Sequence, residues 1–326
     1  MKAVVVDRIG AFAVREVPRP APGPDEVLLR VDVTGLCRTD LKIIEKGHRD
    51  LVLPRIPGEE AVGTVLETGS LATGFRPGDR VYVYPGTSCG ACPMCAKGAG
   101  NLCRDMRIMG FHRDGGFAPL VCAPEKSLLR VPGQMPADTA VFAEPLSCCL
   151  NALELARLGA GERISIWGGG PAGALMARAA RSLGARVRVV EPDPRRRAFS
   201  GSLAGDAWEE SDVCAVAVGS TEAYAEAAEH LGPRGRLLVF SGLAPSDGLR
   251  ALDLNRIHYL EQSVIGAYGC SFRHGEQALA MLESGAVAVE DLVTHRMGLG
   301  ELQEALDLLK RRISMKILLY PEKREE

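Results

Sequence analysis

Residues Ile164-Ser165-Ile166-Trp167 run directly into Gly168-Gly169-Gly170-Pro171-Ala172-Gly173 and then into an alanine-rich stretch. An apolar run of strand length, a glycine bend and a helix former, in that order, constrain the surrounding chain to a parallel sheet whose strands are connected by helices. The downstream sequence keeps the alternation: 186–191, 213–218, 235–241 and 263–268 read as strands, with 171–183, 194–203 and 221–231 as helices. Between 191 and 213 there is room for little more than one helix, so a strand and a helix of the regular doubly wound pattern are expected to be curtailed at that edge.

The glycines keep the spacing G-x-G-x-x-G in the context that gives it meaning. Gly168 permits the turn, Gly170 lets backbone N–H groups approach a pyrophosphate, and Gly173 lets the helix pack closely; Pro171 and Ala172 complete the loop. Glu191 ends the next strand, where a carboxylate accepts hydrogen bonds from the adenosine ribose, so NAD is the expected cofactor. NADP is the alternative, because Arg196, flanked by Arg195 and Arg197, could hold a 2′-phosphate instead.

Residues 1–147 have another texture, with short β-type segments at 2–7, 26–34, 61–67, 80–84 and 117–123 separated by Gly and Pro. An amphipathic stretch at 148–158 reads as a helix joining two domains, and it is the expected place for Cys148 and Cys149. After helices at 275–284 and 299–311, a strand at 316–320 is expected to return to the first domain. The division is therefore 1–147 with 270–326, and 148–269. The 326 residues suffice for both. A formal charge of -2 excludes a whole-chain attraction to nucleic acid. Apolar runs of strand length exclude a membrane span, and the N-terminal run stops at Asp7, too early for an export signal. A cytoplasmic location is expected.

Cys89, Cys92, Cys95 and Cys103 place four thiols within fifteen residues, with Gly90, Gly98 and Gly100 to fold the backbone around a point. Four thiolates at that pitch suit a closed tetrahedral zinc site that holds a loop and performs no chemistry; an iron–sulfur cluster is the alternative.

With both sites identified, the chain resembles the zinc-dependent medium-chain alcohol, polyol and threonine dehydrogenases over nearly its full length. The resemblance is carried by Gly35-Leu36-Cys37-Arg38-Thr39-Asp40, the four-cysteine run, Phe142-Ala143-Glu144-Pro145-Leu146, and the ending from Asp291 to Lys316. It implies an α/β protein: a GroES-like, mostly-β catalytic domain plus a Rossmann domain with a doubly wound parallel sheet. It also implies a homodimer or homotetramer, and reversible oxidation of a small alcohol to a ketone in the cleft between domains. By resemblance Cys37 and Glu144 are catalytic zinc ligands, Thr39 relays the substrate proton, and Lys316 and Arg38 lie near the cofactor pyrophosphate.

The departure is at Pro57-Gly58-Glu59-Glu60, where Glu59 replaces the family's zinc-binding histidine. A site of Cys37, Glu59 and Glu144 would carry net charge -1, counting +2 for the ion and -3 for the ligands, which weakens the ion as a Lewis acid. Glu60 could exchange in as a ligand, and Asp40 would face a carboxylate instead of an imidazole. The relay histidine is also absent, with Lys42 in its place and His48 the nearest imidazole. The first expectation is metal-assisted hydride transfer on a polar secondary alcohol of sugar, cyclitol or polyol type, with Arg113 and Arg296 as further polar candidates. The second discards the catalytic metal and makes Glu59, Glu60 or Lys42 the acid or base of a redox enzyme, or of a transient-oxidation lyase or epimerase. A non-catalytic dinucleotide-binding protein is the third.

Overall fold

The strand Glu26–Leu36 buries Val27, Leu28, Leu29, Val31, Val33 and Leu36, an almost unbroken apolar run of the kind covered on both faces. It lies inside a seven-stranded sheet ordered Val293–Gly298, Lys316–Tyr320, Glu26–Leu36, Glu60–Thr68, Arg80–Val83, Leu128–Arg130, with Leu120–Pro124 also paired to Glu26–Leu36. All pairings are antiparallel except Val293–Gly298 with Lys316–Tyr320, whose connection carries the helix Leu302–Lys310. One core packs Val4, Val6, Ile43, Ile44, Phe117, Leu302 and Leu319 on one side. A second gathers Val27, Leu29, Val65, Val81, Met109 and Val121.

The computed structural model describes residues 1–243 and 252–321. This first unit comprises Met1–Glu144, Ser271–Glu283 and Val289–Glu326; the second comprises Pro145–Cys270 and Ser284–Ala288. No helix among the described residues is long and apolar enough to cross a membrane.

The second unit holds five parallel strands in the order Arg186–Val190, Arg163–Trp167, Ser211–Val216, Leu231–Val239, Ser263–Gly266. The helix Pro171–Ser182 buries Gly173, Ala174, Ala177, Ala179 and Ala180, small side chains that allow close packing. Between Val190 and Ser211 the only regular pieces are the helix Pro194–Ser200 and a single turn Gly201–Leu203, so Arg186–Val190 is the sheet edge. The curtailment expected from the short interval is thus observed.

Two elements differ from expectation. The joining helix spans Ala143–Leu155 and so begins five residues before 148, because Pro145 falls in its first turn, where a missing N–H costs nothing. Ala11–Glu16 is a strand paired with Lys2–Arg8 whose side chains are mostly exposed, so no apolar alternation announced it.

Candidate functional site

Three neighbouring strands of the first unit build the site's floor. Gly35 pairs with Glu60 on one side and Leu318 on the other. A β-carbon at Gly35 would overlap the Glu60 carboxylate, so glycine is what lets that side chain cross the central strand. Glu60 there meets Lys316 Nζ at 2.5 and 2.8 Å, with Glu60 1% and Lys316 3% exposed. Burial alone would lower the ammonium pKa; the Glu60 carboxylate outweighs it and holds Lys316 above its ordinary value. The Phe142 ring lies 5.8 Å from Nζ. Lys316 is therefore paired with Glu60 inside the first unit.

Cys37 caps the helix Arg38–Lys46, and its N–H donates to Asp40 Oδ2 at 2.9 Å. Asp40 thus holds the helix cap while its charge also acts on Glu59. Its carboxyl is pushed up to about 7, chiefly by burial and partly offset by that N–H. The Cys37 thiol lies 3.8 Å from Glu59 Oε1, and both side chains are partly accessible. Burial, then the negative charge of Asp40 and Glu59, raises the thiol pKa well above its usual value. Glu59 is likewise raised, by burial first and then by the charges of Glu144, Asp40 and Glu60. The cluster as placed favours holding protons.

A sulfur and an oxygen 3.8 Å apart suit two ligands of one ion. A third is not assembled: among the described residues neither Cys37 nor Glu59 belongs to a group of three or more donors whose ligand atoms all lie within 4.8 Å of one another. Glu144, on the first turn of Ala143–Leu155, reaches Glu59 as a neighbouring charge. The expected Cys37, Glu59, Glu144 zinc site therefore does not fit the geometry among the described residues, for want of a converging third donor.

Other expected residues lie elsewhere. Lys42 is on the exposed face of its helix, opposite Leu41, Ile43 and Ile44, so it is no base for this cluster. Arg38 is exposed in the first turn and Thr39 half-buried beside it. His48 packs edge-on against Phe111 and accepts a bond from Asp50 N–H. Arg113 donates to Thr87 Oγ1, and Arg296 to Asp138. The Gly35 gap and the Glu60–Lys316 pair were missed by sequence reasoning; the available signal was a glycine at the end of an apolar strand, near a carboxylate pair.

The four-cysteine lobe meets the convergence test that Cys37 and Glu59 fail. Its sulfurs all lie within 4.8 Å of one another, with separations of 3.5 Å for Cys92–Cys95, 3.8 Å for Cys92–Cys103 and 4.0 Å for Cys89–Cys95. Zinc–sulfur bonds of about 2.3 Å at tetrahedral angles require sulfurs about 3.8 Å apart. Cys95 N–H, with other backbone N–H groups, draws Cys92 down to about 6, whereas burial and the neighbouring thiols push Cys103 up to about 11.

In the second unit, Gly168 has φ +101°, and a β-carbon at Gly173 would collide with Gly168 O, so both positions require glycine. Gly170 caps the helix that Pro171, Ala172 and Gly173 open, leaving free helix N–H groups at the carboxyl end of Arg163–Trp167. Glu191 accepts from Gly169 N–H at 2.7 Å and Asp193 N–H at 2.9 Å. Arg196 Nη1 would lie 3.4 Å from a β-carbon on Gly170. Cys149 is buried in Ala143–Leu155, its thiol 3.4 Å from Ala172 O. A turn of this shape, with an acid beside it, fits a dinucleotide.

Residues 23–133 match the family model of the alcohol dehydrogenase GroES-like domain. The chain is 33% identical over 318 residues to D-altritol 5-dehydrogenase of Agrobacterium fabrum, covering 93% of this chain and 94% of that one. It is 31% identical to sorbitol dehydrogenase of Halalkalibacterium halodurans, covering 98% and 99%. A zinc-binding dehydrogenase of Sinorhizobium meliloti 1021, solved with NADP bound, superposes with TM-score 0.92 at 30% identity, covering 98% and 99%. Full-length similarity at this level joins the two halves in one lineage: the chain belongs to the zinc-type medium-chain alcohol dehydrogenase family and is an NAD(P)-dependent dehydrogenase.

Proposed function

We propose that this enzyme interconverts a polar secondary alcohol of sugar, cyclitol or polyol kind and its ketone, with NAD as the working cofactor. The observation that carries the reading is the glycine turn with Glu191 beside it, in a chain whose whole length matches dehydrogenases of D-altritol and sorbitol. Bound nicotinamide supplies the hydride acceptor. Gly168 to Gly173 receive the pyrophosphate and Glu191 the adenosine ribose.

Glu59 takes the hydroxyl proton as the carbinol carbon gives up its hydride, and returns it in the reverse direction. In its ionised form, a carboxylate made more basic by burial and by Glu144 accepts that proton more readily than an ordinary one. Cys37 fixes the Glu59 carboxylate through its thiol. Glu60, held by Lys316, adds to the surroundings that raise Glu59, after burial, Glu144 and Asp40. Thr39, two residues from Cys37 and half-buried, passes the proton onward in this reading. Cys89, Cys92, Cys95 and Cys103 would hold a zinc ion that ties their loop. A reducing cytoplasm suits that thiolate site, and the family resemblance suggests a homodimer or homotetramer.

The test is a panel of tetritols to hexitols and cyclitols offered with NAD⁺ and with NADP⁺, following nicotinamide reduction, with the matching ketoses offered to the reduced cofactors. Turnover of at least one pair is expected, faster with NAD. Tight cofactor binding without turnover anywhere on the panel would leave a dinucleotide-binding protein in place of a dehydrogenase.

A further inference from the structure

The main run of the second unit begins at Pro145 and ends at Cys270. Cys148 stands just inside the first limit and Cys270 at the second, so a thiol marks each end. The fold brings the two together. On the helix Ala143–Leu155, Cys148 and Asn151 are spaced i and i+3 and share a face. Asn151, itself buried, donates through Nδ2 to Gly269 O at 2.8 Å and so ties the loop before Cys270 to that face. Gly269 has φ +58°, a left-handed turn that suits glycine, and Cys270 follows it at 5% exposure. The Cys148 and Cys270 sulfurs lie within 4.8 Å of each other. Neighbouring Cys149 meets Ala172 O instead.

A carboxylate oxygen of Glu144, one turn earlier on the same helix, is within that distance of both sulfurs. Three donors are one short of the closed ion site that the four-cysteine lobe achieves. Two thiols so placed have another chemistry open to them. A disulfide needs its sulfurs about 2 Å apart, and side-chain rotation at Cys148, the partly exposed member, closes such a gap.

We propose that Cys148 and Cys270 are a redox pair, joined by a peroxide in a reversible disulfide that staples the second unit at its two ends. The loop so closed takes in all five parallel strands. A cross-link around a long loop removes more freedom from the unfolded chain than one around a short loop. Cys148, the more accessible thiol, loses its proton and attacks one oxygen of hydrogen peroxide. An S–O bond forms, the O–O bond breaks, and the hydroxide released takes up the proton as water. Cys270 then attacks the sulfur of the sulfenic acid. The S–S bond forms, the S–O bond breaks, and the second hydroxide leaves as water with the Cys270 proton. The two thiols lose two electrons and the peroxide gains them. A thiol reductant reverses the bond, so in a reducing compartment it is transient. The pair stands apart from the substrate and cofactor assigned above.

The test treats the purified, reduced, zinc-loaded full-length protein with hydrogen peroxide, blocks the remaining thiols with iodoacetamide and maps linked peptides by mass spectrometry. A Cys148–Cys270 link is expected in most chains, with little zinc released to a chromogenic chelator, and it should be absent after dithiothreitol and in Cys148→Ser. The thermal midpoint of the wild type should rise on oxidation, and that of Cys148→Ser should stay where it was. Cys148→Ser alters a partly exposed position, so the test stands even where Cys270→Ser, at a buried one, fails to fold. Oxidation of the lobe with loss of zinc and no such link overturns the proposal. So does arrest at a Cys148 sulfinic acid, or a link that leaves the midpoint unmoved. A second metal ion per chain in the reduced protein, lost in Cys148→Ser, also overturns it, by making Glu144, Cys148 and Cys270 an ion site.

Discussion

The four-cysteine lobe and the Cys37–Glu59 cluster belong to the same unit and both hold metal-binding side chains, yet they are built oppositely. The lobe draws its four sulfurs from fifteen consecutive residues, and all of them converge on one point. The cluster draws Cys37 from a helix cap, Glu59 from the approach to a strand and Glu144 from the start of another helix, and only the first two come to ligand spacing. In the lobe backbone N–H groups lower Cys92 while Cys103 is raised, whereas in the cluster burial first, and then neighbouring carboxylates, raise both Cys37 and Glu59. The difference teaches that a ligand set carried by resemblance depends on each member: one imidazole replaced by an acid converts a cation-binding trio into a proton-holding pair.

Cys103→Ser probes the lobe and should have the largest effect. Structural zinc contributes on the order of 10 kcal/mol of binding free energy, so loss of one ligand should empty the site and loosen its loop. Metal analysis should find about one zinc per chain in the wild type and none in the variant. Two per chain, falling to one in Cys37→Ser, would break the comparison by making the cluster a second metal site. Next in size is Glu59→Gln, which removes the proposed base with little change of shape. Turnover should fall by about 10²- to 10⁴-fold with NADH affinity unchanged by titration; unaltered turnover would sink the role of Glu59.

How much was legible follows the same division. The glycine turn and the lobe could be read because their residues are contiguous and each performs a local backbone or ligand task. The missing strand was legible from chain length alone, since twenty residues between Val190 and Ser211 cannot hold two helices and a strand. The Glu60–Lys316 pair was not, because it depends on a register that sets residues 35, 60 and 318 side by side. Lys42 looked usable at its sequence position until the helix phase turned it outward. Asp40 read as a neighbour of residue 59, and its charge does act there, but its role as acceptor at the helix cap was not legible.

That buried pair gives a third way to sharpen the contrast, since it is closed by charge where the lobe is closed by ligands. Glu60→Gln leaves an ammonium at 3% exposure without its counter-charge, which costs about 3–5 kcal/mol in comparable buried pairs. The double variant Glu60→Gln with Lys316→Met removes both charges and should recover part of the loss. Denaturant unfolding of the wild type, both single variants and the double variant measures this; additive losses would mean that the two groups do not act as a pair.

The smallest expected effect concerns pH. Asp40 has its carboxyl raised to about 7 in the folded chain, chiefly by burial, while an unfolded aspartate titrates near about 4. Between those values the folded state keeps a proton that the unfolded chain releases. Stability from this group is therefore complete below about pH 4 and is lost as pH rises through about 7. Asp40→Asn retains an oxygen to accept the Cys37 N–H but carries no titrating proton, so its unfolding free energy should lack that decline. At about pH 8 it should exceed the wild type by a few kcal/mol at most, because the folded and unfolded titrations differ by about 1.4 kcal/mol for each pH unit between them. Urea unfolding of both proteins from acid to mildly basic pH decides the matter. A variant that loses stability relative to wild type as pH rises would show that the ionised carboxylate, and not the neutral acid, is the form the fold prefers, and would place the cluster nearer to a cation site than its geometry indicates.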